Sequence, residues 1–336
     1  MFSFIIEKKG KPDLSVTGTY MQTVKNACLS VSDVETIEKG AHASNKKNYI
    51  VTDTIQSALS YLLKGYKNHI TWMQGVVPEE SYMRNHSKPR FWVLSMMEKY
   101  ILKKAKLILL VSEEMKVHYE KKYKLDLSKK SIIMPCFNET EIVNNAFSAD
   151  KYCDNTFVYV GSLHKWQCFE QTASVYAKIE KEANTSTKFC VYTFQKEQAE
   201  SILRQYGVQN YTVDCVDKDE LSERIKDIKY GFVLREDCAV NNVATPTKFS
   251  NYLANGIIPI YSSALKSFTE FDKTNQLGLI YDLDNAEDGI QNILTHIQSE
   301  VSKDTVLSKC QHAFSTYYNA DAYTKQIAEK LKEITK

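Results

Sequence analysis

No apolar run in the 336 residues approaches the roughly 18 needed to span a bilayer as a helix. The longest, from Ala105 to Val111 and interrupted only by Lys106, reads as a core strand. The opening MFSFIIEKKG has neither a positive lead-in nor a small-residue cleavage site, which argues against a signal peptide and for a first strand. The eight cysteines include no CxxC pair and stand near no histidine at metal-ligand spacing. They are expected as reduced thiols of a cytoplasmic protein. The two sequons, at Asn184 and Asn210, carry no weight without a secretory signal. Excess charge is missing too. Lys and Arg number 43 against 41 Asp and Glu, and a net charge of +2 leaves no nucleic-acid footprint.

What remains is an ordinary soluble composition, 43% hydrophobic and 25% charged, in a chain long enough for two domains. Strand-like and helix-like segments alternate from the start. Strands are expected over Phe2–Glu7, Tyr49–Thr52, His69–Met73, Leu107–Ser112 and Ile132–Met134. Helices are expected over Tyr20–Ser32, Thr54–Leu63, Arg90–Lys104 and Glu113–Tyr123, with Trp92, Met96 and Leu102 inward in the third. Thr140–Asn155 lacks periodicity and reads as a linker. The alternation restarts at Thr156 and ends in an amphipathic helix, Asp321–Ile334. Such a pattern predicts an α/β protein with two tandem Rossmann-like, doubly wound domains, 1–148 and 149–318. Ligands of such sheets sit beyond the carboxyl ends of the strands, so the default site is a cleft between the two.

The most informative stretch is Gly231–Ser263. Tyr230–Leu234 reads as a buried strand with Arg235 at its exit, and Ile257–Tyr261 as the next. Between them, Thr245-Pro246-Thr247 is suited to start a helix, and Asn255-Gly256 to stop it. Lys248 falls in the first turn, where a cation opposes the helix dipole. With backbone N–H groups there, Arg235 and Lys248 would cradle a diphosphate; the plain alternative is an ordinary crossover with two solvated basic residues. A second loop, Gly161 to Gln167, offers a tight turn at Gly161, phosphate contacts from Ser162 and Lys165, and Trp166 to stack on a ring or plug the core. A third, Gln74–Ser81, carries Glu79 and Glu80, either to deprotonate an acceptor hydroxyl or to cap the next segment. Asp282 and Asp284 resemble a metal-binding DxD, but Asp284 reads better as a helix cap. Lys103, Lys104 and Lys106 read as a solvated face, or as one that rests on an anionic membrane.

Several segments together are similar to bacterial GT-B glycosyltransferases close to family 4, of the kind that builds capsule and O-antigen. They are Trp72 to Ser81, Val111 to Met115 with His118-Tyr-Glu120, Met134 to Asn138, Tyr159 to Leu163 with Trp166-Gln167, and Leu234 to Asp237 through Asn241, Pro246-Thr-Lys248, Tyr252-Leu253 and Gly256. The resemblance implies a nucleoside-diphosphate sugar held mainly by the C-terminal domain. Its donor residues would be Gly161, Ser162, Lys165, Asn241, Thr245, Pro246, Thr247 and Asn251, with Arg235 and Lys248 on the leaving diphosphate. It implies a glycan acceptor, expected to be lipid-linked, near Trp72, Gln74 and Gly75, and one of Glu79 or Glu80 acting on it. It implies no cofactor, no essential metal and no nucleic acid, and a final helix, 319–336, that returns to the N-terminal domain. Members of family 4 carry two glutamates seven residues apart around this helix. Here the positions fall at Asn251 and near Val243, so retention of stereochemistry is left open. A glycine-rich loop after the first strand is also missing. The competing functions are a GT-B-shaped epimerase or phosphorylase, the latter disfavoured because no lysine is placed for a pyridoxal Schiff base, and a non-catalytic binding partner.

Overall fold

The computed structural model describes residues 1–6 and 16–336. The chain divides into two compact units. The first comprises Met1–Asn138, Asn242–Thr245 and Asn319–Lys336. It runs β1 (Phe2–Ile6), α1 (Val16–Leu29), β2 (Val34–Glu38), β3 (Tyr49–Thr52), α2 (Ile55–Leu63), β4 (His69–Met73), α3 (Val77–Asn85), α4 (Lys88–Lys104), β5 (Leu107–Leu110), α5 (Glu113–Tyr123) and β6 (Ser131–Ile133). These strands form a parallel sheet in the order β2-β1-β3-β4-β5-β6. β4 and β5 are buried at every position, β5 as an unbroken apolar run and β4 with His69 and Thr71 buried among its apolar residues. Short polar side chains start the helices. Thr54 caps α2 by accepting from the Ser57 amide at 3.2 Å, and Ser112 caps α5 by accepting from Met115 at 3.0 Å.

The second unit comprises Glu139–Asn241 and Pro246–Tyr318. Its elements are β7 (Asn155–Val160), α6 (Phe169–Glu182), β8 (Thr187–Tyr192), α7 (Lys196–Gln205), β9 (Tyr211–Asp214), α8 (Lys218–Ile225), β10 (Tyr230–Val233), α9 (Ala239–Asn242), α10 (Lys248–Ala254), β11 (Ile258–Ser262), α11 (Lys266–Asn275), β12 (Leu279–Tyr281), α12 (Ala286–Ile297) and α13 (Lys303–Thr316). The sheet order is β12-β11-β10-β7-β8-β9, parallel throughout. Its core is rich in stacked rings, with Phe157 between Tyr230 (4.9 Å) and Phe232 (5.7 Å). β7, the unit's first strand, lies between β8 and β10, so connections leave in opposite directions there. That switch point opens a crevice at the carboxyl ends of β7 and β10.

Several expectations change. The division falls at 138/139 rather than 148/149, because the segment expected as a linker packs on the second unit. The Val143 amide donates to the Ala254 carbonyl at 2.7 Å, and buried Lys151 donates to the carbonyls of Ala146 and Asn255. The loop expected over Gln74–Ser81 becomes α3 from Val77, with a proline and two glutamates in its first turn. β2 and α11 were not foreseen; β2, at the sheet edge, carries Glu35, Thr36 and Glu38 beside only two apolar residues. The final helix, α14 (Ala320–Thr335), belongs to the first unit, where Tyr323 stacks on Phe137 at 6.4 Å and Tyr49 Oη donates to the Ile334 carbonyl at 2.5 Å. Glu7 and the loop after the first strand, 7–15, lie outside the described residues.

The clearest reversal is in α4. Trp92 and Met96 point outward, 65% and 64% exposed. The inward face is Ser95, Glu98, Ile101 and Leu102. Glu98 is fully buried and accepts from Tyr123 Oη at 2.5 Å, Tyr119 Oη at 3.3 Å and Lys122 Nζ at 3.5 Å. An inward carboxylate with its own donors holds the helix in this rotation, so Ile101 and Leu102 face the core while the apolar Trp92, Val93 and Met96 do not.

Candidate active site

The switch point of the second unit brings three polar side chains together. Arg235 follows β10, Lys248 opens α10, and Gln167 ends the 3₁₀ turn Lys165–Gln167 after β7. Arg235 donates from Nη2 to Gln167 Oε1 at 2.6 Å and from Nη1 to the Gln167 carbonyl at 3.1 Å. Lys248 donates from Nζ to the same Oε1 at 2.9 Å. One neutral amide oxygen thus serves two cations. Arg235 is 4% exposed and Lys248 8%. Among the described residues, neither has a carboxylate partner. Ser262, at the end of β11, fixes Arg235 by exchanging hydrogen bonds with its backbone, 2.5 Å from the amide and 2.7 Å to the carbonyl. Lys248 Nζ lies 4.1 Å from the centroid of the Tyr159 ring. Gly161 completes the wall. Its φ is +137°, and a Cβ there would stand 3.1 Å from Lys248 Cε and 3.3 Å from Nζ, so only glycine fits.

The electrostatics follow from burial. Desolvation pulls the Lys248 ammonium well below its ordinary pKa, and the neighbouring Arg235 charge pushes it further down. Desolvation also lowers Arg235. Two buried, unpaired positive groups sharing one oxygen form a site that is short of negative charge.

Other expected donor residues are placed differently. Lys165 is exposed, and no hydrogen bond joins it to the Arg235–Lys248 pair. Trp166 is half-buried and stacks on His164 at 4.8 Å rather than plugging the core. The Ser162 carbonyl accepts from Tyr159 Oη at 2.7 Å. Asn241 is buried and donates to the Glu236 carbonyl at 3.0 Å, bracing the loop. Thr245 belongs to the first unit, where its Oγ1 accepts from the Cys136 amide at 2.9 Å, so it does not cap α10. Pro246 and Thr247 precede α10 as expected, but Thr247 is helical in conformation and makes no capping bond. α10 has only seven residues, so side chains rather than a helix end carry the positive charge. Asn251 keeps a buried Oδ1 with no partner among the described residues. Asp284 donates its amide to Asp282 Oδ1 at 3.1 Å in a local turn, and Asn285, not Asp284, takes the cap position of α12. Sequence alone assigns no role to Gln167, Tyr159 or Ser262, although the first two stand in the segments that carry the resemblance and Ser262 ends β11.

In the first unit, the loop after β4 carries the candidate acceptor residues. Trp72 is not among them: it is buried in β4 and stacks on Tyr20 at 4.1 Å. Gln74 is exposed and Gly75 half-buried. The two glutamates part company. Glu79 pairs with Lys122 at 2.7 Å and His118 at 3.1 Å. Burial raises its pKa, but hydrogen bonds from His118 and Lys122 outweigh this, and the net shift is downward. Glu80 packs against Gly75, where an added Cβ would stand 1.9 Å from Oε1. Burial raises its pKa, opposed by Arg84. Glu80 therefore has the more basic carboxylate, and Glu79 is held in an ion pair.

No family model matches the chain, and no curated protein matches its sequence. Solved structures do match, over nearly the whole length. A sucrose-phosphate synthase from Thermosynechococcus elongatus is 14% identical over 99% of this chain and 98% of that one, with a TM-score of 0.69. WaaG, a glycosyltransferase involved in lipopolysaccharide biosynthesis, is 11% identical over 97% and 99%, with a TM-score of 0.67. A trehalose-6-phosphate protein from E. coli, bound with UDP-2-fluoro glucose, is 9% identical over 99% of both, with a TM-score of 0.70. The fold is that of the GT-B glycosyltransferases. At such identities the likeness carries the fold alone, and the chemistry rests on the residues.

Proposed function

We propose that the chain is a glycosyltransferase that moves a sugar from a nucleoside-diphosphate sugar to a polysaccharide or lipid-linked glycan, in bacterial surface-polysaccharide synthesis and without an essential metal. The observation that carries this reading is the pair Arg235 and Lys248, buried and converging on one amide oxygen at the switch point of a doubly wound sheet. A diphosphate would replace Gln167 Oε1 and supply the missing negative charge. The planar guanidinium suits two phosphate oxygens, and the ammonium one. As the bond to the sugar breaks, charge grows on the leaving phosphate. Preorganised cations in a dry site then stabilise that charge, which is the work a metal does elsewhere. The free Oδ1 of Asn251 suits a sugar hydroxyl, at a position where the resemblance implies a carboxylate. Glu80, the more basic of its pair, takes the acceptor proton. The work is placed in the cytoplasm, at the inner face of the membrane. That WaaG serves lipopolysaccharide biosynthesis supports the choice of pathway class.

The test is a panel of UDP, GDP, CMP and TDP sugars, scored by melting temperature and by release of the nucleotide in excess EDTA. The reading expects one donor to stabilise the protein and to turn over with chelator present. Arg235→Ala should lose ~10²–10³ in rate. Stabilisation without turnover, with any acceptor, would instead mark a non-catalytic binding partner, the reading to which the missing glutamates at Asn251 and near Val243 belong.

A further inference from the structure

We infer that the outward face of α4 is a docking surface for an anionic lipid bilayer. On this helix Trp92, Met96, Val93 and Tyr100 are 65%, 64%, 52% and 40% exposed. At 100° per residue, Lys88, Trp92, Met96, Lys99 and Lys103 fall within about 80° of one another, and Val93 and Tyr100 widen that face. From Lys88 to Lys103 it runs about 22 Å. Isolated exposed apolar residues need no explanation; a face of four along one helix does. Its charge selects the occupant. Lys88, Arg90, Lys99, Lys103 and Lys104 are all exposed, and none has a carboxylate partner among the described residues. The only acid in α4, Glu98, is turned inward and fully buried. A protein partner would be expected to meet some exposed charge of either sign. Trp and Tyr among lysines, with no exposed acid, instead match an interface of acyl chains below and anionic headgroups above. Among the described residues no helix is long and apolar enough to cross a membrane, so the contact is one of lying on it. The purpose of this surface rests on the lipid-linked acceptor proposed above; its geometry does not.

The test is flotation of the full chain with vesicles of phosphatidylcholine containing about one-third phosphatidylglycerol, against phosphatidylcholine alone. Binding should require the anionic lipid and weaken as ionic strength rises from about 0.1 to about 0.5 M. A basic residue near such a surface is worth roughly fivefold in affinity, so Lys99→Gln with Lys103→Gln should lose about 25-fold. Trp92→Ser with Met96→Ser should lose about tenfold or more and leave the melting temperature unchanged, since both side chains are in water. Equal binding to both vesicle types, binding that ignores both double variants, or no binding at all overturns the inference. So does a dimer in solution that Trp92→Ser dissolves, which would assign the face to a second copy. No donor or acceptor enters this assay. A failed transfer reaction therefore leaves the docking surface standing, and failed flotation leaves the glycosyltransferase reading standing.

Discussion

Lys248→Met separates a ligand-binding charge from a structural one by opposite signs in one experiment. Methionine keeps an unbranched stem of similar length and removes the ammonium. In the unliganded protein that ammonium is buried beside Arg235. Desolvating such a group costs several kcal/mol. Against this stand one charged hydrogen bond to Gln167, of ~1.5–3 kcal/mol, and a contact with the Tyr159 ring of up to ~2 kcal/mol. Gln167 Oε1 keeps Arg235 as donor in the variant, so nothing is left unsatisfied. The balance favours methionine by about 1 kcal/mol, or ~2–4 °C in melting temperature for a unit of this size. A donor at 100 times its dissociation constant should add ~2.7 kcal/mol to the parent and much less to the variant. The pH dependence has a definite sign. With the folded pKa of Lys248 depressed, the unfolded chain binds more protons between that value and the ordinary 10.5. The parent therefore gains stability as pH rises through that window, and the variant lacks this gain. Scanning calorimetry with and without the nucleotide sugar reads all three. A variant that melts several degrees lower, yet keeps the full response to donor, would show that Lys248 is structural and the diphosphate lies elsewhere.

Three shorter predictions accompany it. Glu80→Gln should cost ~10²-fold or more in turnover with little change in melting temperature, whereas Glu79→Gln should lower the melting temperature by loosening Lys122 and leave turnover within a few-fold; rates and melting curves of the two variants check this together. Glu98→Gln should be more stable than the parent above about pH 7, by up to ~3 kcal/mol, because burial raises the Glu98 carboxyl to about 7 and the folded state there carries a costly charge; the advantage should fade as pH falls toward 4.5, as urea titrations at both ends would show. Gln167→Glu would set a carboxylate between Arg235 and Lys248, and should raise the melting temperature of the unliganded protein while weakening nucleotide-sugar binding at least tenfold in calorimetric titration.

Most of the fold was legible because buried parallel strands announce themselves. Leu107 to Leu110 is apolar on both faces, and Ile70 to Met73 is broken only by the small Thr71; a covered sheet explains such runs between helices. Misreadings arose where local pattern and burial disagree. The strand Val34–Glu38 carries two glutamates because it is an edge, half-buried along most of its length. The segment 139–154 has no period, yet it packs on the second unit through single bonds such as Val143 to Ala254, which no repeat reveals. In α4 apolar residues stand on every side of the helix, so their spacing does not choose a core face. The rotation is decided by Glu98, whose partners Tyr119, Tyr123 and Lys122 come from α5, and a contact between helices leaves no trace in either one's own spacing.

The site was legible to the extent that charge is. A cation at a strand exit and another at a helix start, on either side of one crossover, are visible in sequence, and both side chains converge. Gln167 was hidden because a neutral amide advertises nothing. Its role is positional, set by the 3₁₀ turn that carries it back over the crevice. That amide also explains how the unliganded protein tolerates the pair. An aspartate in its place would neutralise the cations and leave a diphosphate only a competitor's share of the binding energy. A leucine would leave two buried charges with no acceptor from this side chain. An amide lies between these, satisfying donors without cancelling charge, so the electrostatic demand persists until an anion arrives. Such a compromise is of little use to a crossover built only for stability. It suits a site that must stay folded when empty and bind phosphate strongly when filled.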